Sequence, residues 1–282
     1  MNIEIVLSLV LTALNLDGLG GATPTAASLY AGLNPAPTTT QTRQQYPVRN
    51  EINQSFELSP NAQIDVTGIE GSIKVETTAA NHAEIHFVRH ARTQRDHDCE
   101  TIAIQHSANS LTIEHQTDAT CHVIQAWEEL TLVVPQSANL SFSRIEGDFA
   151  AGKTDGYLQL SSIEGSVRVA EVQAAQLEAI EGDVSLGVSR LDAKGITVRG
   201  IEGDVELRVA GSVNANLRVR RATDRVDIDL PNAPASRSDR SNSYQSDDED
   251  SGRRNDYSLQ VGTGGADIVI SGIEGHVKVR SL

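Results

Sequence analysis

Lysine is scarce: only Lys74, Lys153, Lys194 and Lys278 occur in 282 residues, and 23 basic side chains face 38 acidic ones, for a formal net charge of −15. Duplex nucleic acid needs clustered Lys and Arg to neutralise its phosphates, so it is excluded as a partner. No polybasic run is present for anionic lipid either. Aromatic residues make up 4% of the chain, with one Trp and one Met, so large rings to fill a thick core are missing. No Gly-x-Ser-x-Gly elbow, phosphate-binding loop or nucleotide fingerprint appears, which removes the commonest sequence signs of an enzyme and of a cofactor. The apolar run Ile5–Leu14 is shorter than the about 20 residues that a membrane-spanning helix needs, so no transmembrane span is expected in the mature chain.

That apolar run suits the h-region of a secretory signal, and Thr25-Ala26-Ala27 offers a small-x-small cleavage site. The preceding Met1-Asn2-Ile3-Glu4 carries no Lys or Arg, which such signals usually have. Residues 1–27 are therefore expected to be a leader and 28–50, with Asn34-Pro35-Ala36-Pro37 and a Thr/Gln run, a flexible spacer. An N-terminal β region is expected over 51–135. Repeats follow over 136–282, interrupted by a mobile insertion at 231–258 that is rich in Ser, Pro and acidic residues.

Cys99 and Cys121 are the only cysteines. Thr101–Gln105 and Leu111–Glu114 alternate around Ser107-Ala108-Asn109-Ser110, a β-hairpin whose two ends carry the pair. In an oxidising compartment the two would form a disulfide. The alternative is zinc, with Cys99, Cys121, His97 and His122 as a Cys₂His₂ set.

Internal repetition decides the fold. Ile-Glu-Gly occurs six times, with Glu70-Gly71, Glu146-Gly147, Glu164-Gly165, Glu181-Gly182, Glu202-Gly203 and Glu274-Gly275 as its last two residues. A short alternating strand follows each copy, such as Asp183-Val184-Ser185-Leu186, and another precedes most of them. The central copies are spaced by 18, 17 and 21 residues. Period-2 strands between glycine turns predict an all-β fold: a β-solenoid of coils of about 18 residues, preceded by an irregular β region. The repeat glycines, Gly165, Gly182 and Gly203 among them, are expected to hold turn positions with φ > 0.

On these residues the chain resembles the putative adhesin family, a bacterial β-strand-repeat domain. That family repeats a Val/Ile, Asn-Gly-Asp, hydrophobic-x-hydrophobic unit and ends with a Gly-rich segment and one last copy, as in Gly262–Gly275 here. The segment Leu132–Leu140, with its Val133-Val134-Pro135, also matches. The resemblance covers about residues 55–282, and Glu stands where the family usually has Asn. It implies an extracytoplasmic, non-enzymatic protein in the periplasm or on the surface of a bacterium, with an envelope or surface partner.

Seven of the eight histidines fall between His82 and His122. On a strand, His82, Glu84 and His86 share one face; with His97 and His122 they are the candidate metal ligands. The repeat glutamates form the other candidate, an acidic ladder suited to water or to cations between its rungs. The functional expectation is an exported scaffold or adhesin-like interaction module. The alternative is an acidic envelope-stress or ligand-binding module for cationic peptides or metal ions, and a third reading is a polysaccharide-active enzyme.

Overall fold

The computed structural model describes residues 46–230 and 255–282. The expected leader, residues 28–45 of the expected spacer and 231–254 of the expected insertion lie outside the described residues. Strands begin with β1 (Val48–Glu57), β2 (Gln63–Thr67), β3 (Gly71–Thr78) and β4 (His82–Ala91). The helix α1 (Gln94–Asp98) leads into β5 (Glu100–Ser107), β6 (Ser110–Thr117), β7 (Ala126–Pro135) and β8 (Asn139–Ile145). Two long strands, β9 (Phe149–Ile163) and β10 (Val167–Ile180), precede β11 (Val184–Val188), β12 (Ile196–Ile201) and β13 (Val205–Val209). The chain continues through β14 (Ala215–Ala222) and β15 (Val226–Asp229), then β16 (Asn255–Val261), β17 (Ala266–Ile273) and β18 (Val277–Ser281). No helix among the described residues is long and apolar enough to cross a membrane.

The fold is all-β, and its strands join in one mixed sheet. Within it run two ladders of parallel pairs. The first passes β6, β2, β8, the second half of β9, the second half of β10, β12, β17 and β14. The second passes β7, β3, the first half of β9, the first half of β10, β11, β13, β18 and β15. Each strand of the first ladder continues through a turn into the strand at the same level of the second. Eight levels result, and the six Ile-Glu-Gly copies are the turns of the six inner ones. The outer turns differ: Ala222-Thr223-Asp224 stands at one end and the long β6–β7 connection at the other.

Two features depart from the sequence order. The last copy, Ile273-Glu274-Gly275, is not terminal: β17 and β18 sit between the β12–β13 level and the β14–β15 level. The strand β16 starts at Asn255, inside the expected insertion, pairs antiparallel with β14 and covers that ladder's free edge. At the other end β5 covers β6 and β4 covers β7, both antiparallel, with β1 outside β4. β1 starts at Val48, inside the expected spacer, and levels already form within 51–135.

Alternation explains why these segments are strands: apolar residues at every second position point inward and polar ones outward. In register the inward positions become columns. Ile145, Ile163, Ile180, Ile201 and Ile273 follow one another across the first ladder and are all buried. Phe149, Val167, Val184, Val205 and Val277 do the same across the second ladder. A central level brings three inward aliphatic side chains from each wall, Ile196, Val198 and Ile201 from β12 and Val205, Leu207 and Val209 from β13, so 4% aromatic residues suffice. Each fully buried Ile or Val contributes about 1.5–3 kcal/mol relative to exposure.

Candidate functional site

At each inner turn the chain leaves one ladder for the other in three residues. The sharp bend is made by the residue before the isoleucine, which holds positive φ at every inner level: Gly68, Arg144, Ser162, Ala179, Gly200 and Gly272, with Arg221 at the terminal level. The repeat glycines have no positive φ, contrary to the expectation from sequence. Their need for glycine is one of space. A Cβ on Gly182 would lie 2.6 Å from the carbonyl carbon and oxygen of Gly165, and one on Gly203 would lie 2.7 Å from those of Gly182. Gly147, Gly165 and Gly275 meet Gly71, Gly147 and Gly203 in the same way. The six glycines form a column of bare backbone running through the turns.

Hydrogen bonds fix the register of this column. The N–H of Glu146 donates to the Ile69 carbonyl, that of Glu164 to Ile145, that of Glu181 to Ile163 and that of Glu202 to Ile180, at 2.9–3.0 Å. The aspartates after the glycines are structural too. The Asp148 carboxylate accepts from the Ser166 N–H at 2.9 Å, Asp183 from Asp204 at 2.9 Å and Asp204 from His276 at 2.8 Å. The glutamate side chains are left facing outward. Glu146, Glu164, Glu181, Glu202 and Glu274 are exposed and line an open groove of about 800 Å³ along the turn edge. Arg144, Arg199 and Arg221 share its wall, and Arg199 holds Glu178 at 2.8 Å. That bond keeps the Glu178 carboxyl below its ordinary range.

Glu70, the first of the series, is half-buried and belongs to a different environment. Gly71 pairs with Glu128 of β7, and the Glu128 side chain turns back to accept from the Glu70 N–H at 3.2 Å. Arg89 of β4 grips Glu128 Oε1 through Nε at 2.9 Å and Nη2 at 2.7 Å, and donates from Nη1 to the Glu100 carbonyl at 2.7 Å. Arg89, Glu100 and Glu128 are 3% exposed or less. His115 of β6 donates through Nδ1 to the Gly68 carbonyl at 2.7 Å, so its Nε2 points at Glu100 Oε1, 3.8 Å away, and Glu128 Oε1, 4.0 Å away. Neither Glu100 carboxylate oxygen nor His115 Nε2 has a hydrogen-bond partner. Burial raises the Glu100 carboxyl to about 6, opposed by His115 and Arg89 and reinforced by the Glu70 and Glu128 charges. Burial also raises Glu70, with His115 opposing it and the Glu146 and Glu128 carboxylates adding to it.

Glu70, Glu100 and His115 each bring a ligand atom within 4.8 Å of the other two. The histidines and glutamate singled out from sequence do not form such a group. His82 and Glu84 face outward together on β4 at 3.1 Å, while His86 contacts Asn53 at 2.6 Å and Glu51 at 3.7 Å. His97 lies on α1 against Asp98 at 3.0 Å, and His122 is exposed beyond the hairpin. Cys99 and Cys121 are joined in a disulfide with Cα atoms 5.9 Å apart, which leaves no thiolate for zinc. It ties the start of β5 to the segment after β6, as the hairpin pattern implied.

No protein-family model and no curated protein matches the chain. Among solved structures, it is similar to a putative cell adhesion protein from Clostridium sporogenes, at 9% identity and a TM-score of 0.40, over 83% of this chain and 100% of that one. A putative adhesin from Bacteroides fragilis is similar at 12% identity and a TM-score of 0.43, over 83% and 98% of the two chains. A third, a putative adhesin from Parabacteroides merdae, has 10% identity and a TM-score of 0.28, over 82% and 96%.

Proposed function

We propose that this chain is a non-enzymatic, exported module of the bacterial cell envelope whose two ladders are the walls of one β-solenoid. Its exposed turn edge is the surface that engages a partner. One observation carries the reading: five in-register turns hold Glu146, Glu164, Glu181, Glu202 and Glu274 as an outward-facing row beside an open groove. Like charges one strand spacing apart repel, so a row repeated level after level favours a partner that brings positive charge. Export is supported by the disulfide, since such bonds persist in oxidising compartments. The columns of buried side chains make the interior a filled scaffold.

A cationic peptide is the ligand class that this edge suits best, which joins the scaffold reading to the ligand-binding one. The experiment has two arms. Cell fractionation with protease treatment of intact bacteria should place the oxidised chain outside the cytoplasm. A Lys-rich peptide titrated into the purified chain should bind with strong salt dependence, and E164Q/E181Q/E202Q should weaken it. A cytoplasmic chain with free thiols would defeat export, and peptide binding indifferent to the triple substitution would defeat the role given to the edge.

A further inference from the structure

The buried charges beneath the first repeat turn are out of balance. Three carboxylates, Glu70, Glu100 and Glu128, converge there, and the only guanidinium that meets them among the described residues, Arg89, is committed to Glu128. Arg89 Nε stands 3.4 Å from Glu100 Oε2 without a hydrogen bond, and the His115 Nδ1–H donates to the Gly68 carbonyl. The three carboxylates outnumber the one guanidinium by two, a costly arrangement at this burial. His115 Nε2 faces the Glu100 and Glu128 oxygens. The 3.8 Å gap from Nε2 to Glu100 Oε1 is too wide for a hydrogen bond. Tetrahedral zinc with bonds of about 2.0–2.1 Å sets its ligand atoms roughly 3.3–3.4 Å apart, so Nε2 and Oε1 have to close by about half an ångström to share one ion.

We propose that Glu100, His115 and Glu70 bind one divalent cation, with zinc the best fit to an imidazole and two carboxylates. Glu100 and His115 supply the buried half of the site, their ligand atoms orphaned and aimed at each other. Glu70 closes it from the turn: its half-buried side chain brings a carboxylate oxygen within 4.8 Å of the other two ligand atoms, and a small side-chain movement brings it into bonding range. The Nδ1 bond to Gly68 fixes the imidazole tautomer that ligation by Nε2 requires. A divalent ion balances the two excess charges, and Glu128, locked by Arg89, stays outside as the orienting neighbour. The proposal is independent of the surface role given to the exposed edge.

The test uses the full oxidised chain, stripped with chelator and titrated with zinc chloride by calorimetry and by thermal melting. One equivalent is expected to bind and to raise the melting temperature. E100Q and H115Q should each weaken zinc binding by about tenfold or more, while H82A/H86A, on the exposed face of β4, should leave it intact. Should either buried substitution impair folding, X-ray absorption of the wild-type zinc complex decides: one imidazole with carboxylate oxygens supports the site. Absence of binding, two or more imidazoles in the spectrum, or loss of binding in H82A/H86A instead would overturn it.

Discussion

Positive φ and close backbone approach are separate demands at each turn, and different residues meet them. Ala179 holds a φ of 54°, a region that side chains with a Cβ resist. We expect Ala179→Gly to stabilise the chain by up to about 1 kcal/mol in urea denaturation, because Gly accepts this conformation without strain. A loss of stability there would contradict the turn geometry. At Gly182 the added methyl of Gly182→Ala meets the Gly165 carbonyl, and backbone cannot step aside as a side chain would. The expected loss is about 1–3 kcal/mol. The same change at exposed Gly211, where a Cβ meets nothing within 4 Å, should stay within about 0.5 kcal/mol of wild type. Sequence showed that the repeat glycine matters but attached the wrong reason to it, since spacing along one copy says nothing about what lies above and below. The buried charges were more legible than they were read. Arg89 falls in phase with inward Ile85 and Phe87, and Glu128 in phase with Leu130 and Leu132, so a charged residue on an apolar parity was the available signal. Which partners they meet depends on β4, β6 and β7 coming together, and no local pattern encodes that.

Among the elements, the alternating strands and the cysteine hairpin were visible in sequence because a period of two and a polar turn are local properties. The order of the levels was not. Copies Ile69-Glu70-Gly71 and Ile145-Glu146-Gly147 are far apart along the chain yet adjacent in the stack, and β17–β18 passes back beneath β14–β15. What distinguishes the outer levels is the missing glycine: an inner turn has backbone against both sides, an outer one against a single side. Contacts between levels also make stability local. The Cys99–Cys121 bond spans 22 residues, and closing a loop of that size contributes about 3 kcal/mol in the chain-entropy view. Mild reduction should therefore speed hydrogen exchange in β5 and β6 and leave β12 and β17 as protected as before. Uniform deprotection across all levels would show that the molecule opens as one unit instead. Truncation of a column residue, Ile180→Ala, should cost about 2–5 kcal/mol, since the filled interior has no spare side chain to close the hole.

Across the whole molecule, register converts a three-residue motif into an extended surface. One glutamate at one turn is an ordinary exposed carboxylate, whereas six stacked turns give a row with a half-buried end at Glu70 and an open length from Glu146 to Glu274. The row exists only if the copies stack in the order seen here, with Glu274 beside Glu202 and Thr223 one level further out. Parallel neighbours stand about 4.8 Å apart, inside the Cα range of a disulfide, and two levels stand about 10 Å apart, outside it. Paired substitutions read this directly. Under mild oxidation, with the native Cys99–Cys121 bond intact, E202C/E274C should cross-link efficiently and E202C/T223C should not, as scored by mass spectrometry of proteolytic peptides. Cross-linking of E202C/T223C with E202C/E274C unbridged would mean that the levels follow sequence order, and the continuous glutamate edge described here would not exist.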